Sequence, residues 1–474
     1  MKVDGIDLEA AVAEVKKLLN QEQSLSPAFK AAINVLLLLV STLFKQVTLN
    51  SNNSSKPPSS DPNRQKKKKN KSNNKPGGQK GHQGTTLSKV EDPDLIETIE
   101  IDQSTLPAGH YKHVGYETRQ VIDIDISSVV TEYRAQILEN ETGQQFVAAF
   151  PNQVTRPVQY GNNLKAHAVY LSQYQLLPYN RIQEYFADQL NIPLSQGSLY
   201  NFNQEASDQL DTAGFEAIVK NKLCQATLLH GDETGINVDG KRHWLHCASN
   251  KEWSYFFPHA KRGSEAMNEA AIFPHFKGVL CHDHYKSYYT YNCTHALCNA
   301  HHLRELERAW EQDGQQWANT LQQLLKTINI AVDQAGGQLT SKEANRYKQK
   351  YRAILKKAEV ESPPPDESQR KQGQRGRLKR SKARNLLERL IHYEEDVLRF
   401  METAYVPFTN NLAENDIRMT KVQQKISGCF RSMEGAQLFC KIRSYISTCR
   451  KQQVSASEAL SLLFKSQLPE FFDN

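Results

Sequence analysis

Residues 50–89 contain almost nothing that a folded core could bury, because Ser, Asn, Pro, Gly and Lys make up most of the segment. Burial of apolar side chains is the main term that offsets the entropy lost on folding, and this composition cannot supply it. The segment is therefore predicted to be a linker (50–90). It divides the chain into a short N-terminal part and a long C-terminal part.

The charge of this linker indicates contact with nucleic acid. Asp61 is its single acid, against ten basic residues. Contacts with the phosphate backbone are independent of sequence and sensitive to salt. The alternative is a charged run that only faces solvent. The candidate DNA-contacting residues of this run are Lys66, Lys67, Lys68 and Lys69.

The composition of the whole chain excludes several classes of protein. With 39% hydrophobic residues among 474, the chain can bury a large core and is too long for one ordinary domain. None of the eight cysteines precedes Cys224, and their spacing shows no disulfide framework, which favours reduced thiols in the cytoplasm. The apolar stretch 31–44 includes polar residues and is shorter than the roughly 20 residues of a membrane-spanning helix. No membrane partner is expected.

The segment before the linker, residues 1–49, has helical periodicity. Two apolar stripes recur at steps of three and four residues, on either side of a turn near residues 24–27. Their members are Leu8, Val12, Val15, Leu19, Leu36, Val40, Leu43 and Val47. Such stripes pack either against a second copy, as a helical hairpin or coiled coil, or against the rest of the same chain. Both alternatives remain open.

Two further regions precede the part of the chain that is rich in candidate site residues. Residues 91–152 contain the β-favouring runs 118–126 and 129–138, which predict a small strand-rich module. Residues 153–220 are predicted to be helical, with helices over 181–190 and 197–206. This pair is either a helix–turn–helix that enters a DNA major groove or a helical connector. The residues near the leading end of its second helix are Ser198, Tyr200 and Asn201.

Two aspartates follow apolar, strand-like runs. Residues 226–258 predict three strands with a hairpin turn at 238–240, and Asp232 is predicted to end the first apolar run. A second run, 278–282, ends at Asp283. Taken alone, an Asp at a strand end is usually a turn or cap residue. On adjacent strands, however, two such carboxylates would lie together and repel each other unless a divalent cation neutralised them. Neighbouring side chains on a strand point to opposite faces, so Glu233 cannot join Asp232 in one site.

A third acid begins a predicted helix. Residues 409–411 are expected to supply the N-cap and Gly428 the stop. Steps of four, three and four residues place one acid and three bases on a single face: Glu414, Arg418, Lys421 and Lys425. This face suits a metal site beside a DNA backbone, or it is a solvated face with one ordinary ion pair. Asp416 points away from it.

Several sequence blocks resemble the IS66-family insertion-sequence transposases. In the C-terminal part these are HGDETGINVDGKRHWLH, HDHYKSYY, LCNAHHLREL and VPFTNNLAENDIRMTKVQQKISGCFRS. In the linker, SSKPPSSD and KPGGQKGHQG resemble the same family. The resemblance implies a DNA transposase with an α/β RNase H-like catalytic core over 221–430. It also implies a helical insertion in that core over about 303–400. A C-terminal helical region, 431–474, is expected to follow.

The resemblance also implies a site and its partners. Asp232, Asp283 and Glu414 correspond to a DDE triad that holds two Mg²⁺ ions, with Mn²⁺ as a substitute, for strand cleavage and strand transfer. His301 and Arg304, in a family-like block, are candidates for support of the active site. The implied partner is double-stranded DNA, both transposon ends and target, bound by a homo-oligomer with or without accessory proteins of the element. The implied location is the bacterial cytoplasm, at the nucleoid.

The chain departs from the family in its cysteines. Family members often carry a zinc-binding module after the linker, whereas residues 91–152 contain no cysteine. For the cluster of Cys281, Cys293, Cys298, His301 and His302, buried structural cysteines are favoured over a zinc site. No zinc is therefore expected.

One more basic run lies in the expected insertion. No acid occurs between residues 370 and 384, and Arg377 and Arg380 are candidates for a DNA clamp, with a solvated loop as the alternative. Two other functions remain open for the whole chain. One is an RNase H-like nuclease that cuts without joining, and the other is an inactive or domesticated transposase-derived DNA-binding protein.

Overall fold

The computed structural model describes residues 2–3, 6–22, 24–47, 49–54, 61, 87–366, 368, 370 and 378–472. The linker lysines Lys66, Lys67, Lys68 and Lys69 lie outside the described residues, as do Arg377 and the block at 75–84. Their predicted DNA contacts stay predictions.

The N-terminal segment forms the two helices that its periodicity predicts. A short antiparallel pair, β1 (Lys2–Val3) and β2 (Ile6–Asp7), precedes α1 (Leu8–Gln21) and α2 (Pro27–Val47). Leu19 is buried, whereas the apolar side chains of α2 are largely exposed. Within the part of the chain that the structure describes, no helix is long and apolar enough to cross a membrane.

Residues 87–152 contain less strand than the sequence predicts. Their strands are β3 (Ile137–Glu139) and β4 (Gln145–Val147), which pair as a hairpin. The predicted strand over 118–126 is wrong, and in 129–138 only the last two residues belong to a strand. A β-favouring run becomes a strand only when a partner pairs with its backbone, and here Val121 and Val130 remain more than 90% exposed.

A helical layer precedes the sheet. It consists of α3 (Asn162–Val169), a π-helical turn (Tyr170–Tyr174), α4 (Tyr179–Leu190), α5 (Gln196–Thr212) and α6 (Phe215–Cys224). The two helices expected near 181–190 and 197–206 are confirmed as α4 and α5. Ser195 caps α5 by accepting a hydrogen bond from the Ser198 backbone N–H. The major-groove role of this pair stays a prediction.

A five-stranded mixed sheet forms the centre of the C-terminal part. Its strands are β5 (Leu228–Val238), β6 (Lys241–Ser249), β7 (Ser254–His259), β8 (Val279–His282) and β9 (Thr294–Leu297). Their order is β7-β6-β5-β8-β9. The first three strands are antiparallel, as predicted from residues 226–258, while β8 pairs parallel to β5 and β9 parallel to β8. The predicted hairpin turn is present, with Asp239 at φ 49° and Gly240 at φ 73°.

The expectation that Asp232 ends its strand is wrong. β5 continues six residues further, to Val238, because β6 pairs with it along that whole length, and Asp232 lies opposite Cys247. Of the two strands that pair with β5, only the parallel strand β8 ends beside Asp232. Asp283 does follow the end of its strand, as predicted.

Helices cover the sheet and one of its edges. A short helix, α7 (Ser264–Glu269), lies between β7 and β8. After the segment 299–401 the elements are α13 (Asn411–Ser427), α14 (Met433–Lys451) and α15 (Ala456–Leu463). The outer strand β7 would leave backbone donors unpaired, but Ser444 Oγ and Thr448 Oγ1 of α14 accept hydrogen bonds from its N–H groups at Phe256 and Ser254. α13 packs on β5 and β6 through Ala413 and Ile417.

The segment between β9 and α13 is helical. It contains α8 (Asn299–Asp313), α9 (Gln316–Gln334), α10 (Ser341–Glu361), α11 (Lys382–His392) and α12 (Glu394–Leu398). These helices share one apolar cluster with β8 and β9, which includes Val279 and Leu297. The segment is therefore packed directly against the parallel edge of the sheet.

Gly278, just before β8, offers a test of how tightly this edge is packed. A Cβ there would lie 2.5 Å from the backbone oxygen of Thr227 and 2.7 Å from that of Ala226. The backbone cannot shift away from this Cβ without strain. We therefore expect Gly278→Ala to lower the free energy of unfolding by about 2 kcal/mol. Denaturant unfolding measures the loss. Gly197→Ala in α5, whose nearest contact would be 3.6 Å away, is the control and should cause no loss. Equal stability of the two variants would contradict the prediction.

Candidate active site

Two of the three predicted acids lie at the same end of neighbouring parallel strands. In the parallel ladder His230 pairs with Cys281, so Asp232 lies two residues beyond this pair in β5, and Asp283 follows directly after the end of β8. Side chains alternate along a strand, so Asp232 is on the face of β5 that carries His230, while Asp283 adds negative charge to both Asp232 and Glu233. Glu233 points to the opposite face, as predicted.

Glu414 reaches the same face from α13. The pKa of Asp232 is raised well above its usual range, first because the carboxyl is buried and then because Glu233, Asp283 and Glu414 add negative charge around it. Its own hydrogen bond from the Glu233 backbone N–H, 2.9 Å long, offsets only part of this. The structure therefore brings the three predicted acids together, in a setting that disfavours three negative charges.

Asn410 determines where Glu414 lies. Its Nδ2 donates to the Gly231 carbonyl oxygen at 2.9 Å, and its Oδ1 lies 2.8 Å from Nδ1 of the buried His230. The N-cap of α13 is Asn410, within the predicted residues 409–411, but its side chain makes no capping hydrogen bond. The amide satisfies buried groups of β5 instead of the helix N–H groups. Gly428 ends the helix, as predicted.

On the other face, Glu233 forms a buried network that the sequence reasoning missed. Its fully buried carboxylate accepts hydrogen bonds from Arg262 Nε (2.8 Å) and from the Tyr288 hydroxyl (2.9 Å), and Arg262 Nη2 lies 2.6 Å from the same oxygen as Nε. The Arg262 guanidinium lies over the rings of Trp244 and Tyr285, at 4.9 and 4.2 Å. Burial raises the pKa of Glu233 despite this partner. No local signal marked Arg262, which is 29 residues away in a loop.

Cys298 and His301 lie beside Glu414. The Cys298 thiol donates to Glu414 Oε1 at 3.6 Å and accepts from the Asn410 backbone N–H at 3.1 Å. His301 Nδ1 lies 3.8 Å from the same Glu414 oxygen. Burial raises the pKa of the Cys298 thiol to about 12. His301, a candidate for support of the active site, thus lies beside the third acid. Arg304, one turn further along α8, acts on His301 as a nearby positive charge.

The predicted basic face of α13 is exposed. Arg418, Lys421 and Lys425 all face solvent. Lys421 also donates to the Gly235 carbonyl oxygen at 2.5 Å, and its pKa is lowered by partial burial and by nearby Arg242 on β6. The basic surface therefore extends from α13 onto the sheet.

Two arginines of the basic run before α11 form ion pairs within the chain. Arg380 forms an ion pair with Glu388, and Arg384 pairs with Glu388 and Glu359. Both arginines lie at most partly exposed. A guanidinium held in this way stabilises the start of α11, which leaves less of the run available to clamp DNA.

Comparison with known families supports one assignment over most of the C-terminal part. Residues 157–438 match the family described as transposase IS66 family. Residues 3–88 match a family of unknown function, DUF6444. No curated protein matches the chain.

The Arg262–Glu233 pair can be tested by stability. Arg262→Ala leaves a buried carboxylate without its cation, and we expect a loss of about 2 kcal/mol in the free energy of unfolding. Breaking a fully buried pair costs roughly 3–5 kcal/mol, and the smaller figure reflects the 39% exposure of the Arg262 side chain. Adding Glu233→Gln should cost less in the Arg262→Ala background than in the wild type. Denaturant unfolding of the four proteins measures this coupling, and strictly additive losses would show that the pair does not interact.

Proposed function

Because the chain belongs to the IS66 transposase family, we propose that it cleaves DNA strands at the ends of an insertion sequence and joins them to target DNA. We propose Asp232, Asp283 and Glu414 as the residues that carry this reaction. The observation behind this assignment is that β5, the end of β8 and the start of α13 bring these three acids together, although they are distant in sequence.

The donor set fits hard divalent cations. Carboxylate oxygens are the ligands that Mg²⁺ prefers, with Mn²⁺ as the expected substitute. Burial raises the pKa of Asp232, and the nearby negative charges of Glu233, Asp283 and Glu414 raise it further. Asp232 has no cationic side-chain partner among its hydrogen bonds in the described residues, unlike Glu233. When bound, two such ions stabilise the attacking and leaving oxygens of an in-line phosphoryl displacement.

The protein's own residues would position the DNA and the acids. Asn410 holds the start of α13 on β5, so Glu414 faces Asp232. Arg262, held by Glu233 and two aromatic rings, presents a fixed positive charge near Asp283, where it would contact a DNA phosphate. The exposed bases of α13 would follow the backbone away from the acids. His301 would support Glu414.

The architecture supports an RNase H-like core. Three antiparallel strands are followed by two strands parallel to the first, and the acids lie on β5, after β8 and on a helix packed across them. We propose the helical segment 299–401 as the family's insertion. We also propose that the domain boundaries predicted from the sequence apply, with 91–152 as a cysteine-free counterpart of the zinc-binding module.

Partners are proposed on the same grounds. Double-stranded DNA, both transposon ends and target, is the substrate, and a homo-oligomer on DNA is expected. The exposed apolar side chains of α2 are consistent with self-association, which the periodicity of the N-terminal segment allows.

Substitution of the three acids tests the assignment. Asp232→Asn, Asp283→Asn and Glu414→Gln should each reduce Mg²⁺-dependent cleavage and joining by at least about a thousandfold, since each removes a metal ligand that contributes several kcal/mol to the transition state. The measurement is cleavage of a labelled terminal oligonucleotide and its joining to plasmid. DNA binding should remain close to that of the wild type.

The matched control is Asp239→Asn, at the exposed hairpin turn between β5 and β6, where Asn tolerates the positive φ. It should keep full activity. Normal cleavage by any of the three site variants would remove that residue from the site. Cleavage without joining by the wild type would favour a nuclease, and binding without either would favour an inactive DNA-binding relative.

The basic face of α13 predicts a change in salt dependence. Each phosphate contact contributes about 0.9 to the slope of log affinity against log salt concentration. Replacing Arg418, Lys421 and Lys425 by Gln should therefore reduce the slope by about 2–3. Fluorescence anisotropy over a salt series measures it.

The control for this measurement removes the same charge from exposed positions on α10: Lys342, Lys356 and Lys357. If the control lowers the slope as much as the α13 variant does, the change results from the lower net charge of the protein. The prediction that α13 contacts DNA phosphates is then wrong.

A further inference from the structure

A mixed set of metal ligands adjoins the proposed triad. One ligand atom each from Cys298, His301 and Glu414 lie within 4.8 Å of one another. The Cys298 sulfur is 3.6 Å from Glu414 Oε1, and His301 Nδ1 is 3.8 Å from it. The residues come from the start of α8 and the first turn of α13, so the tertiary fold alone brings them together.

These separations suit one particular class of cation. Around a tetrahedral Zn²⁺, with bond lengths of about 2.3 Å to sulfur and 2.0 Å to nitrogen and oxygen, sulfur and oxygen are about 3.5 Å apart and nitrogen and oxygen about 3.3 Å. The observed sulfur–oxygen and nitrogen–oxygen separations exceed these by about 0.1 and about 0.5 Å, and all three ligand atoms lie within 4.8 Å of one another. Thiolate and imidazole are ligands for Zn²⁺ and not for Mg²⁺.

One ligand atom of this cluster has no partner in the described part of the chain. His301 Nδ1 is buried and has no hydrogen-bond partner within the described part of the chain. A buried polar atom without a partner is costly unless something binds it. Arg304 contributes a positive charge near His301, but Glu414, Asp283 and Glu305 contribute three negative ones.

We propose that Cys298, His301 and Glu414 form a second metal site that binds one thiophilic divalent cation such as Zn²⁺, with a fourth position open. Binding replaces the Cys298 S–H bond by a sulfur–metal bond and releases the proton to solvent. This site departs from the sequence-based expectation that no zinc binds, because spacing along the chain did not place Glu414 beside Cys298.

The two proposed sites share Glu414. An oxygen of this carboxylate cannot serve the hard cations beside Asp232 and a Zn²⁺ beside Cys298 in the same geometry. Occupation of the second site therefore withdraws Glu414 from the first and inhibits the enzyme. This consequence rests on the proposed function, whereas the metal site itself does not.

Cobalt titration of the metal-free, full-length protein tests the site. Co²⁺ bound to a thiolate gives a sulfur-to-cobalt charge-transfer absorption, and we expect one equivalent to produce this band and Zn²⁺ to abolish it. Cys298→Ser should lose the band. His301→Gln should weaken Co²⁺ and Zn²⁺ binding by at least about tenfold. Cys440→Ser, which removes another buried thiol from α14, is the matched control and should keep the wild-type spectrum.

The outcomes distinguish failure of the proposed second metal site from failure of the proposed function. The site is overturned if the wild type gives no thiolate band, or if Cys298→Ser keeps it while circular dichroism shows the fold intact. Inhibition is measured as Mg²⁺-dependent joining with and without Zn²⁺, each protein relative to its own zinc-free rate. Zn²⁺ should inhibit the wild type at least about tenfold more than Cys298→Ser, and equal inhibition overturns the competition for Glu414. Loss of joining in every protein would overturn the proposed function and leave the cobalt spectrum unaffected.

Discussion

The buried side chain of Asn410 is the contact on which the arrangement of the acids depends. Its amide joins the Gly231 carbonyl and His230 of β5, while its backbone N–H donates to the Cys298 sulfur. Three elements distant in sequence thus meet at one residue that is 1% exposed. Each of these polar groups would otherwise be buried without a partner, at about 1–3 kcal/mol apiece. Glu414 follows one helical turn later and is therefore held at the level of Asp232.

Strand alternation gives two adjacent carboxylates different chemistry. Glu233 is turned toward Arg262 and Tyr288, so its charge is matched within the protein. Asp232 is turned toward Asp283 and Glu414, so like charges surround it. The first carboxylate can stabilise the fold and position a cation, and the second favours binding an external one. One residue of register shift would exchange these roles, because the side-chain period of a strand is two.

Local patterns predicted much of this molecule, and their failures share a cause. The three antiparallel strands, the helix that carries Glu414 and the two N-terminal helices follow from periodicity over short windows. The strand over 118–126 and the end of β5 at Asp232 were wrong, and the N-cap lies at Asn410 as predicted but without a side-chain capping hydrogen bond. In each case the outcome depended on a partner elsewhere: a missing partner strand, a long pairing with β6, or buried groups on β5. A window of neighbouring residues holds no information about such partners.

The sequence by itself determined the helical faces and the membership of the three acids in family-like blocks, because spacing of three or four residues and short motifs are local properties. The tertiary structure alone decided that β5 and β8 pair in the register that brings Asp232 and Asp283 to the same end of the two strands. It also decided that Arg262 pairs with Glu233, and that Cys298 and His301 share an oxygen of Glu414. Contacts between residues so far apart in the chain form only when burial of the whole core compensates the entropy of closing the intervening loops.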